Sequence, residues 1–213
     1  MSAYGWGVKR SQIFAHRGFW KEGGFAPNSL ESLESAFEKG FAVETDVRDQ
    51  QEEIVISHDP CGSTTYSSFN QELLALGGIA INIKSDGLVP QIAELREHLK
   101  ESQSFVFDCS FPQILQFRKA SIPHALRISE YEKELPWNPD YIWLDAFNDD
   151  WWVKDAKIRK LMDQTPTIIV SPELHGREFL LVWEEFSKLA QEVEDIGICT
   201  DFPLQLASSL GLS

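Results

Sequence analysis

The amino-acid sequence predicts an α/β fold, specifically a small (β/α)8 barrel with parallel strands and some short or missing helices. Nine short runs rich in β-branched and aromatic residues recur along the 213 residues. Several are almost wholly apolar, as expected of parallel strands covered on both faces. Helical patterns lie between many of these runs, and this alternation is typical of a parallel sheet. No linker, repeat or low-complexity stretch divides the chain, so we expect a single domain over residues 1–213.

The strand candidates are short and are bounded by polar residues or turn residues. They are Ile13–His16, Ala42–Val47, Ile54–Ser57, Ile79–Ile83, Phe105–Phe107, Ala125–Ile128, Tyr141–Leu144, Thr167–Val170 and Ile196–Cys199. A short polar turn, Asp49–Glu53, joins the second candidate to the third, which indicates a hairpin. If Ile54–Ser57 is the hairpin partner, eight main strands remain, and eight parallel strands close a (β/α) barrel.

Six segments have helical periodicity or residues typical of helix ends. The first, Ser29–Lys39, would be capped by Asn28 or Ser29 and would end before Gly40. The other segments are Pro90–Lys100, a helix after Pro112, Trp151–Met162, Arg177–Val193 and a weak final helix over Leu204–Leu210.

Charge and composition exclude several classes of partner. The chain has 33 acidic and 19 basic residues, a net charge of −14, and 43% of its residues are hydrophobic. This charge argues against binding to nucleic acid or to anionic membranes. No stretch approaches the roughly 20 apolar residues needed to span a bilayer. We therefore expect a small-molecule substrate, no nucleic-acid partner and no integral membrane association, while the oligomeric state stays open.

The cysteines and the start of the chain favour a cytoplasmic location. Cys61, Cys109 and Cys199 are widely spaced and odd in number, so they form neither a zinc-type CxxC pair nor a disulfide framework. We expect them to be small core residues rather than nucleophiles. The first ten residues, MSAYGWGVKR, lack the apolar core of a signal peptide.

Polar residues follow nearly every strand candidate, at the end where barrel enzymes build their active sites. The series is His16, Arg17, Glu44, Asp46, His58, Asp59, Asn82, Lys84, Asp108, Arg127, Asp145, Glu173 and Asp201. Residues two apart in a strand share a face, so Glu44 and Asp46 point the same way, as do Asn82 and Lys84.

Two carboxylates on one face repel each other unless a positive charge lies between them. A hard divalent cation such as Mg²⁺ or Ca²⁺ prefers oxygen ligands and would fit Glu44 and Asp46, with Asn82 adding an amide oxygen. The alternative is that the two carboxylates pair with bases such as Arg17 or Lys84.

Two histidines end strand candidates close to this acidic pair in sequence. His16 and His58 would serve as a base on the nucleophile and an acid on the leaving group, because histidine exchanges protons near neutral pH. Gly18 would let the backbone approach a ligand closely. His175 is a weaker candidate, and His98 and His124 are expected to be surface and structural residues.

At these residues the sequence resembles the glycerophosphodiester phosphodiesterase family of the PLC-like phosphodiesterase superfamily, in a divergent bacterial-type branch. The run is AHRGFW…APNSLESLESAFEKGFAVETDVRDQQEEIVISHDP, with INIKSDG extending the match to Gly87. Its parts are His-Arg-Gly, Asn-Ser in place of the usual Asn-Thr, Glu-x-Asp-Val and a later His-Asp. Beyond Gly87 the resemblance rests on strand periodicity.

The resemblance implies a TIM barrel and a metal-dependent phosphodiesterase. It implies that Glu44 and Asp46 hold a divalent metal, with Mg²⁺ foremost and Ca²⁺ or Mn²⁺ as alternatives. It also implies that His16 and His58 form the acid/base pair. Arg17 and Lys84 would contact the phosphate, and an internal hydroxyl of the substrate would attack phosphorus to give a cyclic phosphate.

The sequence departs from the family pattern at two positions. Pro27 replaces an acidic residue, and Asn82 stands where the family has its third metal carboxylate. The amide should lower metal affinity unless Asp108 or another strand-end acid compensates. Two alternatives stay open: a degenerate barrel that binds a phosphorylated ligand without turnover, and a sugar-processing enzyme that uses Glu173 and Asp201.

Overall fold

The computed structural model describes residues 8–63 and 66–212. Seven of the ten residues in MSAYGWGVKR, the segment predicted not to be a signal peptide, lie outside the described residues. Nine strands form one sheet in these ranges. They are β1 (Ile13–His16), β2 (Ala42–Gln50), β3 (Glu53–Ile56), β4 (Ile79–Ile83), β5 (Phe105–Phe107), β6 (Ala125–Ile128), β7 (Tyr141–Leu144), β8 (Thr167–Val170) and β9 (Ile196–Thr200). All nine predicted strands are therefore confirmed, with shifts of one to three residues at some ends.

Eight of the strands are parallel and lie in the order β5-β4-β2-β1-β9-β8-β7-β6. The predicted hairpin is confirmed, because β3 runs antiparallel to β2 and pairs with no other strand of this order. The two edges of the sheet meet where Val106 forms a bridge with His124 and donates its N–H to Pro123 O at 3.0 Å. The sheet is thus a nearly closed eight-stranded barrel, as predicted.

The helices cover the outside of the barrel. They are α1 (Trp20–Gly23), α2 (Leu30–Glu38), α3 (Gln71–Leu74), α4 (Val89–Glu94), α5 (Arg96–Glu101), α6 (Phe111–Lys119), α7 (Ala156–Met162), α8 (Leu180–Leu189) and α9 (Pro203–Ser209). Short 3-10 helices cover Arg10–Gln12, Trp151–Lys154 and Pro172–His175. None of the helices that the structure describes is long and apolar enough to cross a bilayer.

Two predicted helices are each divided in the structure. Pro90–Lys100 splits at Leu95, whose ψ of 0° leaves the helical range. Trp151–Met162 splits at Asp155, because its side chain accepts a hydrogen bond from Lys157 N and so caps a new helix. Residues 129–140, all within the described ranges, contain no helix between β6 and β7, which confirms the expectation that some barrel helices are missing.

Alternation along the strands separates a barrel interior from an outer layer. One buried cluster contains only residues of the strands, whereas the other includes side chains from α2, α4, α6 and α8. The interior cluster is Phe14, Ala42, Ala80, Phe105, Phe107, Ala125, Trp143, Ile168, Val170 and Cys199. Residues two positions further along a strand face the same side, so the polar residues that follow this cluster form a layer at the mouth of the barrel. They are His16, Glu44, Asn82, Arg127, Asp145 and Asp201.

The turn after β1 depends on a glycine. Gly18 has φ of +82°, and a Cβ added there would lie 2.5 Å from Ser32 Oγ and 2.6 Å from the Ser32 carbonyl carbon. The next residue, Phe19, donates its N–H to Ser32 O at 2.8 Å. Gly18 therefore permits close approach of the turn to α2, and its close approach to a ligand stays a prediction.

Replacing Gly18 by alanine should destabilise the fold strongly. The left-handed backbone costs alanine about 1–2 kcal/mol, and overlap with Ser32 adds roughly 1–3 kcal/mol. Gly24→Ala is the matched control, because Gly24 has φ of +74° but nothing within 4 Å of its added Cβ. Urea denaturation should show the larger loss of unfolding free energy for Gly18→Ala. Equal losses for the two variants would contradict the close packing against Ser32.

Candidate active site at the mouth of the barrel

His16 lies at the end of β1 between two carboxylates. Its Nδ1 is 2.8 Å from Asp201 Oδ1, and its Nε2 is 3.9 Å from Glu44 Oε2. These contacts follow from the sheet order, because β1 lies between β9 and β2 and His16 is in register with Glu44. Burial alone would lower the pKa of His16, but the hydrogen bond to Asp201 and the charge of Glu44 outweigh it and raise the pKa above its usual value.

Asp201 is held in place from two sides. Its Oδ2 accepts a hydrogen bond from Lys21 Nζ at 3.1 Å, and its backbone N–H donates to Glu173 Oε1 at 3.1 Å. Glu173 also accepts hydrogen bonds from the hydroxyl groups of Ser171 and Thr200. Burial works to raise the pKa of Asp201, but His16 and Lys21 lower it overall, which favours the carboxylate. Asp201 therefore orients His16, and Glu173 fixes the backbone of Asp201.

Glu44 and Asp46 lie side by side on β2, and each is only 1% exposed. Burial, followed by the charge of Asp46, raises the pKa of Glu44, whose Oε2 accepts a hydrogen bond from Arg17 N at 3.2 Å. Asp46 has two cationic neighbours: Arg17 Nε lies 3.1 Å from its Oδ2, and Lys84 Nζ lies 3.3 Å from its Oδ1. The structure thus brings together five of the predicted site residues, and it also contains the predicted alternative in which Asp46 pairs with bases.

Asn28 supports Asp46 and was not predicted as a site residue. Its Nδ2 donates to Asp46 Oδ2 at 2.9 Å, and its Oδ1 accepts from Thr45 Oγ1 at 2.9 Å and from Asp46 N at 3.2 Å. Ser29, rather than Asn28, caps α2, because its Oγ accepts from Ser32 N. Asn28 has φ of +60°, a conformation that asparagine tolerates better than most residues, so the residue type is the one signal that the sequence carries.

Asn82 occupies the position next to Asp46 on the neighbouring strand β4. It is 9% exposed, and its Oδ1 is buried without a hydrogen-bond partner among the described residues. Asp46 Oδ1 also lacks a hydrogen bond there, because Lys84 approaches it as an ion pair without hydrogen-bond geometry. Buried oxygen atoms of this kind fit a hard divalent cation in donor type. Within residues 8–63 and 66–212, however, no three His, Cys, Asp or Glu side chains are arranged to hold a metal.

His58 lies apart from this cluster. Its side chain is 46% exposed, and its Nδ1 is 3.0 Å from Asp59 Oδ1. A cavity of about 440 Å³ is lined by both His58 and Arg17, which connects the histidine to the cluster. The hairpin fixes this arrangement, because Ser57 N donates to Asp46 O at 3.0 Å. A molecule in this cavity would therefore meet both His58 and Arg17.

The weaker sequence candidates have distinct surroundings. His175 Nε2 lies 2.7 Å from Asp145 Oδ1 at the mouth, outside the His16 cluster. His124 is buried, and its Nε2 accepts a hydrogen bond from Trp137 Nε1 at 3.0 Å. Burial raises the pKa of Cys109 to about 12, so its thiol stays protonated and is a poor nucleophile.

Replacing Asp201 by asparagine should lower the pKa of His16, because the variant loses the negative charge that offsets burial of the imidazole. An NMR titration of the His16 ring in protein treated with EDTA measures this directly. Asp59→Asn is the matched control: it removes a carboxylate next to His58 and should leave the His16 titration unchanged. An unaltered His16 pKa in Asp201→Asn would show that Asp201 does not set the protonation of this histidine.

The fold is shared with solved enzymes. No family model matches the chain, and no curated protein matches it. A glycerophosphodiester phosphodiesterase from Agrobacterium tumefaciens superposes with a TM-score of 0.68 at 15% identity, covering 94% of this chain and 99% of that chain. A second, from Parabacteroides distasonis, gives a TM-score of 0.60 at 19% identity, covering 96% and 98%. The predicted resemblance to glycerophosphodiester phosphodiesterases is therefore confirmed at the level of the fold, an α/β barrel of the TIM type.

Proposed function

We propose that this chain is a metal-dependent phosphodiesterase that cleaves a glycerophosphodiester-like or related phosphodiester. The main support is the geometry of His16, which is fixed by Asp201 and lies within one cluster with the cationic groups of Arg17 and Lys84. A base next to two cations is what the attack of a hydroxyl on a phosphodiester requires. The fold shared with two phosphodiesterases adds to this support.

His16 acts as the base in this proposal. When Nδ1–H donates to Asp201, the other ring nitrogen, Nε2, is left to accept a proton. A substrate hydroxyl transfers its proton to Nε2 as its oxygen forms a bond to phosphorus. The tautomer is assigned from the Asp201 contact, since a carboxylate accepts and does not donate.

His58 acts as the acid from its position on the wall of the cavity that it shares with Arg17. It gives a proton to the leaving oxygen as the bond between that oxygen and phosphorus breaks. The products are an alcohol and a cyclic phosphate, which a water molecule then opens with the two histidines in reversed roles. The exposure of His58 supports this role, because water can reach the neutral imidazole and give up a proton to it in the second step.

Arg17 and Lys84 bind the phosphate. Each lies within 3.3 Å of Asp46, so the three groups form a compact set with one net positive charge. The chain as a whole has a net charge of −14, which repels an anionic substrate at a distance. The local positive charge of this set would attract the phosphate once the substrate is in the site.

A divalent cation completes the proposed site, with Mg²⁺ foremost and Ca²⁺ or Mn²⁺ as alternatives. Glu44, Asp46 and Asn82 would hold it through side-chain oxygens, and it would neutralise charge on a phosphoryl oxygen. The Oδ1 atom of Asn82, which has no hydrogen-bond partner in the part of the chain that the structure describes, supports this, since a cation would give it one. The raised pKa of Glu44 also supports it, since a cation would favour the carboxylate that burial and Asp46 disfavour.

Alanine at either histidine should abolish turnover. His16→Ala and His58→Ala should each lower kcat/KM by at least roughly 100-fold, because each removes a proton-transfer group. The assay uses bis(p-nitrophenyl) phosphate and a panel of glycerophosphodiesters with Mg²⁺, Mn²⁺ or Ca²⁺. His98→Gln, on α5, is the control and should retain activity. Circular dichroism must show folded variants, and full activity in either alanine variant would refute its assigned role.

Restoring a carboxylate at position 82 should strengthen metal binding. Asn82→Asp adds a negative charge beside two buried carboxylates, so the affinity for Mn²⁺ should rise by roughly tenfold, about 1.4 kcal/mol. Isothermal titration calorimetry with MnCl₂ measures this. Asn70→Asp, at the start of α3, is the control and should leave the affinity unchanged. An affinity that is the same in wild type and Asn82→Asp would place the cation away from Asn82.

A binding protein without turnover is the second candidate function. It is favoured by Asp46, whose charge is already met by Arg17 and Lys84, and by the amide at position 82. Wild-type protein that cleaves no phosphodiester with any of the three metals, yet binds inorganic phosphate in a manner that depends on Lys84, would support this function over catalysis.

A further inference from the structure

A second polar cluster lies at the mouth on the ends of β5 to β7 and in the loop after β8. Arg127 is flanked by two carboxylates, with Nη1 2.9 Å from Asp108 Oδ1 and Nε paired with Glu132. His175 is held by Asp145 at 2.7 Å. The proposed mechanism uses none of these groups. We call the following set the distal cluster: Arg127, Tyr131, Asp145, Phe147 and His175.

The distal cluster belongs to the same layer of the mouth as the catalytic residues. Arg127 and Asp145 each lie two residues beyond an interior residue, Ala125 and Trp143, just as Glu44 lies two beyond Ala42. Their strands, β6 and β7, lie across the barrel from β1 and β2 in the sheet order. One substituent of a phosphodiester held by Arg17 and Lys84 would therefore extend toward the distal cluster.

Aromatic rings make up the open side of the distal cluster. The Phe147 ring centroid is 4.7 Å from that of His175 and 6.0 Å from that of Tyr131, and the Arg127 guanidinium carbon lies 5.8 Å from it. Tyr131 is 73% exposed, yet its hydroxyl oxygen is fixed by a hydrogen bond from Asn148 Nδ2 at 2.9 Å. A large aromatic side chain held in place while mostly exposed offers an apolar face to a ligand.

The charged side chains of this region are already engaged with partners within it. Asp108 and Glu132 share Arg127, and Asp145 is paired with His175. Both oxygens of the nearby Glu130 accept backbone N–H groups, from Phe147 and Asn148. An ammonium group would find these carboxylates already engaged by Arg127, His175 and backbone N–H groups, and an anion would find Arg127 engaged by two carboxylates. Paired acids and bases still present both donors and acceptors to a neutral hydroxyl group.

We propose that the distal cluster binds a pyranose sugar in the alcohol part of the substrate, with its apolar ring face on Tyr131 and its hydroxyl groups on the polar side chains. This inference rests on the proposed phosphodiesterase function and names the substrate class of that site. A sugar ring combines an apolar face with a rim of neutral hydroxyl groups, which is the combination that the distal cluster complements.

The test compares two substrates in matched variants. Tyr131→Ala should lower kcat/KM for glucose-1-phosphoglycerol by roughly tenfold and change it by less than about twofold for bis(p-nitrophenyl) phosphate, which has no sugar. Tyr131→Phe keeps the ring and should retain most of the activity on the sugar diester. Leu76→Ala, an exposed apolar residue before β4, is the control and should match wild type on both substrates.

Sugar binding is also measured without turnover, by saturation-transfer NMR with methyl α-D-glucopyranoside on wild type and Tyr131→Ala. A signal in wild type that is lost in the variant supports the proposal even if neither diester is cleaved, a result that would count against the proposed function alone. Equal losses on both substrates would make the cluster a general phosphate contact and overturn the proposal. No NMR signal in wild type, or a Tyr131-dependent signal with choline in place of the sugar, would also overturn it.

Discussion

Two buried carboxylates lie side by side on β2, and the residues around them must compensate their charge. Glu44 and Asp46 are each 1% exposed, and such a pair is stable only if positive groups or hydrogen-bond donors surround it. The neighbouring elements supply these: the turn after β1 gives the Arg17 side chain and N–H, β4 gives Lys84, and the approach to α2 gives Asn28. The same groups that make the carboxylates tolerable are those an anionic substrate would use.

Two residues that surround this carboxylate pair have strained backbone conformations. Arg17 and Asn28 both adopt positive φ, at 55° and 60°, where non-glycine residues are uncommon. Asn28 N donates to Arg17 O at 3.0 Å, so the two residues hold each other in this conformation. Each then directs its side chain to Asp46. Strain of this kind persists only where surrounding contacts fix it, and such residues concentrate at functional sites.

The sequence was sufficient for the strands, because short apolar runs ending in polar residues recur at regular intervals along it, and for placing Glu44 and Asp46, two residues apart, on one face. It was insufficient for contacts that depend on strand order. The pairing of Asp201 with His16 arises only because the last strand returns beside the first, across 185 positions. Asn28 was one of two predicted caps of α2, alongside Ser29, because local chemistry favours that role for both, whereas the hydrogen-bond partners of Asn28 lie 17 and 18 residues away. The breaks at Leu95 and Asp155 reflect local backbone geometry that apolar periodicity does not encode.

The contact between β5 and β6 closes the barrel with little backbone pairing. Here the ladder is replaced by a bridge at Val106 and a hydrogen bond to Pro123 O, so this seam has weaker backbone pairing than the β2–β4 ladder, whose register spans five residue pairs. The seam lies between the strand that neighbours the Lys84 strand and the strand that carries Arg127. Regions with few backbone hydrogen bonds open at lower free energy than fully paired ones. Local opening of this seam would change the distance between the Lys84 side and the Arg127 side of the mouth. One barrel could then accommodate substrates of different length with the same catalytic and binding residues.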